Sequence, residues 1–204
     1  MREIAGWALD TAKAQGASYA DVRVVDLRQR YLSTKNGQPA QVRESQSMGV
    51  GVRVVAEGAW GFAATDDLAR SSVDRVAAYA VEIARASATA KKQDVRLAKE
   101  SKVIDRWEAP CRIDPFSIPV STCLDLMLEV DRELRRVKGV TLAEASMDFR
   151  RIEQLFLSTA GSEISQVKTQ TGAGFVATSF AEGEIQRRSY PTSFGGQYRD
   201  ETGT

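Results

Sequence analysis

The second half of this chain repeats the first. Leu32-Ser33-Thr34 returns as Leu157-Ser158-Thr159, Gln41-Val42-Arg43 as Gln166-Val167-Lys168, and Ala56-Glu57-Gly58 as Ala181-Glu182-Gly183, all at one offset of 125 residues. Gly49 meets Gly174, Tyr31 meets Phe156 and Leu9 meets Leu134 at the same offset. A register held without gaps keeps element lengths and turn positions together, so the chain reads as two copies of one supersecondary unit. The matches gather at turns and strand ends, where backbone conformation restricts the residue.

Each copy reads as a helix followed by a meander. Residues 2–15 place Ile4, Ala8, Thr11 and Ala12 on one face with Trp7 beside them, and Gly16 stops the helix. Ser18–Thr34 is rich in Val, Tyr and Leu and reads as a strand. Asn36-Gly37 predicts a hairpin, because both residues tolerate positive φ. Gln41–Gln46 and Met48–Ala56 follow as two strands, Glu57-Gly58 as a turn and Ala59–Ala64 as a short fourth strand. Thr65-Asp66-Asp67 offers an N-cap for a further helix reaching about Ala88, with Val73, Val76, Ala77, Ala80, Ile83 and Ala84 as its stripe.

The charged stretch Lys91–Lys102 reads as a solvated connector with a short strand after it. Pro110, Pro115 and Pro119, three of the five prolines, then mark a boundary. Ser121 is expected to cap a helix whose buried stripe is Cys123, Met127, Val130, Leu134 and Val137, ended by Gly139. Next, Ala143, Ala145, Met147 and Phe149 alternate with Glu144, Ser146, Asp148 and Arg150. Glu163–Gln170, Gly172–Ala181 and Glu184–Tyr190 complete the second meander. The fold class is therefore α+β: two similar modules, each a helix plus an antiparallel four-strand meander, with an extra helix after the first. Residues 1–100 form the first domain and 101–190 the central one; 191–204 is a Gly-rich polar tail expected to be loose.

The chain has no histidine. That excludes a Ser-His-Asp triad, a Cys-His dyad and every His-based metal site within it. Cys111 and Cys123 alone make neither a disulfide framework nor a zinc site. Asp66-Asp67 reads as a helix cap, and Glu129 and Glu133 as a solvated face beside Arg132 and Arg136, so no carboxylate pair stands out as catalytic. Gly49-Val50-Gly51 and Gly172-Ala173-Gly174 lie in strands rather than at helix starts, which favours a bulge or close backbone approach over a phosphate loop. A net charge of +1 gives no field for gathering nucleic acid or anionic membrane, and no apolar run spans a bilayer; a cytoplasmic protein is expected. Trp60, Gly61 and Phe62 read either as a satellite core under the second helix or as an aromatic lip on a peptide groove. With Asn36 and Gly37 they are the candidates for a peptide cleft or an interface.

GASYADVRVV at 16–25, the Asn36-Gly37 turn and GVGVRVVAEGAWGFAATDDL at 49–68 resemble the first domain of the TldD/PmbA family, and 103–190 resembles its central domain. The resemblance implies α+β domains ahead of a C-terminal domain that carries a His-Glu-x-x-x-His zinc site. It implies proteins called modulators of DNA gyrase and grouped as zinc metallopeptidases, acting as homo- or heterodimers on peptides or unfolded proteins. No zinc or catalytic residue carries over to this sequence. The expected role is the non-catalytic part of such a peptidase, contributing fold, dimerisation and substrate cleft, with proteolysis and zinc belonging to the absent domain. The alternative is a stand-alone binding module that pairs with a full-length relative.

Overall fold

A computed structural model describes residues 1–99 and 101–191 of the protein. The tail expected to be loose lies, beyond Pro191, outside the described residues. The chain runs α1 (Arg2–Ala14), β1 (Tyr19–Lys35), β2 (Gln38–Ala56), β3 (Ala59–Thr65), α2 (Arg70–Ala88), β4 (Ile104–Glu108), a 3₁₀ turn (Pro115–Ser117), α3 (Val120–Arg136), β5 (Val140–Ser158), β6 (Glu163–Ala181) and β7 (Glu184–Tyr190). The strands form one sheet in the order β3-β2-β1-β5-β6-β4, with β7 also pairing with β6. Bonds from Thr159 N–H to Ala20 O and from Asn36 N–H to Ala143 O set β1 antiparallel to β5. β4 alone runs parallel, Ile104 beside Glu163.

The repeat is present in the backbone. β2 and β6, and likewise β3 and β7, have the same lengths at the same offset. The turns Asn36-Gly37, Glu57-Gly58 and Glu182-Gly183 all hold positive φ at both residues: 47° and 83°, 50° and 72°, 52° and 84°. These are the conformations that two-residue hairpins demand.

Each meander has three strands rather than four. The expected pair Gln41–Gln46 and Met48–Ala56 is one strand, β2, and Glu163–Gln170 and Gly172–Ala181 are one strand, β6. Gly49 and Gly174 serve the close backbone approach that their place inside strands favours. A Cβ on Gly49 would stand 3.2 Å from the Thr65 carbonyl oxygen, and one on Gly174 would stand 3.0 Å from that of Tyr190.

The chain forms two compact units, and these do not follow the boundary between repeats. One contains residues 1–27, 47–108 and 152–167; the other contains 28–46, 109–151 and the stretch from 168 onward. In the first, α1 and α2 bury Ala5, Ala8, Ala12, Ala77, Ala80 and Ala84 against Val22 and Val24 of β1, Val50, Val52 and Val54 of β2, and Leu155 and Leu157 of β5. Small residues on the helices bring their axes close to the sheet, and each buried valine contributes about 1.5 kcal/mol or more. α2 begins at Arg70 with Ala69 at the N-cap position, so the expected cap acts from upstream: the Asp67 carboxylate accepts from Ala69 N–H and from the Ser72 hydroxyl.

In the second unit, α3 lays Cys123 and Met127 on Leu32, Ala145, Phe149 and Phe116. Ser121 is not its cap: Pro119 holds that position and no side chain caps the helix. Nor does the stripe run as expected. Val137 is 60% exposed, and the position after Cys123 and Met127 on the inner face is taken by Asp131, which is fully buried.

Candidate functional site

Asn36 and Gly37 are brought onto α3. Asp131 Oδ2 accepts from Gly37 N–H at 2.6 Å, and its Oδ1 accepts from Arg135 Nε at 2.9 Å. Asn36 Oδ1 accepts from Ala143 N–H at 2.9 Å. The hairpin tip is thus fastened to the helix and to β5, and the buried carboxylate has a charged partner, as a buried charge requires.

Trp60, Gly61 and Phe62 alternate along β3. Gly61 faces α2 so closely that a Cβ would lie 2.0 Å from the Ala80 carbonyl oxygen and 2.6 Å from the Ala84 nitrogen. It is a packing residue. Trp60 and Phe62 point the other way, 37% and 58% exposed. Tyr19 meets the Trp60 ring edge-on at 6.2 Å, the Arg53 guanidinium lies 4.8 Å from it, and Phe62 covers Gly51. Gly61 is therefore core under the second helix, while Trp60 and Phe62 are exposed on the opposite face.

A recess lies within the second unit. It is a trough of about 500 Å³ across β1, β5, β6 and β7, on the strand faces turned away from α3. Its polar lining includes Ser33, Glu144, Ser146, Asp148, Arg187 and Ser189, with Gly172 and Gly174 of β6 beside them. Asp148 Oδ1 and Thr34 Oγ1, both in the lining residues, are buried with no partner in the protein. Buried polar atoms are normally paired, so these two retain bonding capacity. β7 borders the trough; among the described residues it pairs only with β6, and all seven of its residues are exposed. The polar set 144, 146 and 148 was visible as an alternation, but no local signal joined it to Arg187 and Ser189, which β6–β7 pairing brings alongside.

The described part of this chain does not fit zinc. It has no histidine, and among the described residues no group of three Cys, Asp or Glu side chains converges as metal ligands. Cys111 is exposed and Cys123 buried; burial pushes the Cys123 thiol pKa up, against the weaker opposing influence of Arg30, which keeps it protonated and unreactive. No helix among the described residues is long and apolar enough to cross a membrane.

Residues 20–84 match the family model of PmbA/TldA metallopeptidase domain 1. A metalloprotease of Methanocaldococcus jannaschii is 20% identical over 148 residues, 72% of this chain but 32% of the relative, so the chain spans only that fraction of the longer protein. A structure from Bacteroides thetaiotaomicron, of a protein named as a modulator of DNA gyrase, superposes with a TM-score of 0.72 at 17% identity, over 92% of this chain and 43% of that one. TldE of Thermococcus kodakarensis gives 0.62 at 11% identity, over 89% and 41%. At such identities the structural likeness establishes the fold, and the family model places residues 20–84 alongside the first domain of PmbA/TldA metallopeptidases.

Proposed function

We propose that this chain is the substrate-holding, non-catalytic portion of a TldD/PmbA-type peptidase, with 1–100 and 101–190 as its two domains. Its trough takes an extended stretch of peptide or unfolded protein, and the free edge of β7 adds that stretch as a further strand. The observation that carries this reading is the polar trough beside an unpaired strand edge. Backbone amides and carbonyls on such an edge recruit another strand. Asp148 Oδ1 offers an acceptor for an incoming N–H group. Hydrolysis and zinc belong to another domain of such a peptidase, and pairing with a second family subunit is part of the same reading.

The test is fluorescence anisotropy with a labelled, unstructured peptide, on the chain and on a variant whose trough is filled, Ser146→Trp. The variant is expected to bind at least about tenfold more weakly. Unchanged binding would remove the trough from the proposal. Peptide hydrolysis by the purified chain, restored by zinc and abolished by a chelator, would refute the non-catalytic assignment.

A further inference from the structure

On the face of the first unit turned away from α1 and α2, a carboxylate is fully buried between two arginines. Strand alternation places it there: Ala20, Val22 and Val24 enter the core under the helices, so Tyr19, Asp21 and Arg23 point to the opposite side. Asp21 Oδ1 accepts from Arg23 Nη1 at 2.6 Å, and Oδ2 accepts from Arg53 Nε at 2.8 Å and Nη2 at 2.6 Å. The Arg23 guanidinium lies 4.9 Å from the centre of the Phe156 ring and that of Arg53 4.8 Å from Trp60. Asp21 is inaccessible, while both arginine side chains are 42% exposed.

Three features make this more than an internal ion pair. One carboxylate balances only one of two guanidiniums, so the cluster carries a net positive charge, and its neighbours Tyr19, Trp60, Phe62 and Phe156 are neutral. Each arginine is already clamped by Asp21 and an aromatic plane, so a ligand meets pre-ordered donors and does not bear the cost of ordering them. Asp21 engages one nitrogen of Arg23 and two of Arg53, and Tyr19 also accepts from Arg53. A guanidinium has five N–H donors in a plane, so donors remain, most of them on Arg23. A second copy of the chain is a poor occupant, since a two-fold contact here would set one arginine pair against another.

We propose that Arg23 and Arg53 form a recognition site for an acidic side chain of a bound polypeptide, its carboxylate taken by the outward edges of the two guanidiniums between the rings of Trp60 and Phe156. This rests on the reading of the chain as a polypeptide-holding portion and names one preference of it.

The experiment is a titration of the full chain with an N-acetylated, C-amidated peptide carrying two glutamates and with a twin carrying glutamines. The glutamate peptide is expected to bind about tenfold tighter at low salt. Added salt erodes that advantage, because half-exposed charges are screened. Arg53→Gln is expected to abolish it, and Arg53→Lys, which keeps the charge and the partner for Asp21 but loses the planar fork, to retain part of it. Comparing the two peptides on the unaltered protein requires no variant to fold. Equal affinity for both overturns the proposal while leaving polypeptide binding intact; failure of both peptides to bind strikes the underlying reading. If the glutamine peptide gains the same advantage once its C-terminus is left as a free acid, the site reads chain ends rather than acidic side chains, and the proposal falls.

Discussion

β3 and β7 hold the same place in the two repeats and pair in the same register, Val50 opposite Thr65 and Phe175 opposite Tyr190. Their environments differ completely. β3 buries Ala59 and Gly61 under α2, whereas every residue of β7 is exposed. The side chains explain it: Ala59, Gly61 and Ala63 leave a helix room to settle, and their counterparts Glu184, Gln186 and Arg188 hold one off and are themselves content in water. The comparison teaches that repeated turns and glycines set where strands begin, end and pair, while side-chain volume and polarity on one face decide which strand a helix covers and which stays exposed.

The sharpest way to break this contrast is Gly61→Val. The added carbons would run into the backbone of α2 at Ala80 and Ala84, so the helix must shift, at a cost of about 3 kcal/mol. The matching change on the other strand, Gln186→Val, is expected to stay within about 0.5 kcal/mol. Urea unfolding of both variants checks this, and similar midpoints would show that α2 does not depend on the glycine.

A second contrast lies between turns. Gly37 and Gly183 have nearly equal φ, 83° and 84°, but Gly37 N–H is held by Asp131 while a Cβ on Gly183 would find nothing within 4 Å. Asp131→Ala leaves the Gly37 N–H without its acceptor and Arg135 without its partner, a loss of about 2 kcal/mol. Amide hydrogen exchange should speed up at 36–38 and remain unchanged at 182–184; equal exchange at both turns would show that the α3 contact does not hold the tip.

The smallest effect concerns two arginine–carboxylate clusters of opposite build. In the first unit the carboxylate, Asp21, is hidden and the arginines are half out. In the second, Glu44 is 39% exposed while Arg30 is buried, donating also to the Ile118 carbonyl. The hydrogen bond from Arg28, with a lesser contribution from Arg30 and against the opposing cost of burial, holds the Glu44 carboxyl below its ordinary value of 4.5. A lowered folded-state pKa stabilises the fold above the unfolded value and loses that contribution as pH falls through the lower one. Melting temperature against pH should therefore show Glu44→Gln slightly below the parent at neutral pH, with the two converging at pH values below 4.5. A gap that persists in strong acid would deny the ion pair any role.

Much of the architecture was legible because it is written locally. The three positive-φ turns announce themselves as Asn-Gly and Glu-Gly pairs, the helices by their apolar spacing, and the equivalence of β2 with β6 by shared residues. What escaped sequence reading depends on partners distant along the chain. Gly49 reads as a bulge or a close approach without a known partner until Thr65 lies beside it, and nothing local marks Asp131 until Gly37 arrives from 94 positions away. Gly61 could be either core or lip until α2, which follows it in the chain, folds back over it. The trough was half visible, as the alternation at 144–148, and its other wall was not, since strand pairing alone supplies Arg187 and Ser189.

The core beneath α1 and α2 includes Leu155 and Leu157 from the second repeat, and the core beneath α3 includes Leu32 from the first. Neither repeat is therefore autonomous. A gene severed at the junction would encode two fragments, each lacking apolar side chains that only the other can supply, so their route to the native state is complementation. A chain built this way is inherited whole: duplication can have created it, but once the hairpin tips had traded cores, recombination could no longer shuffle its halves.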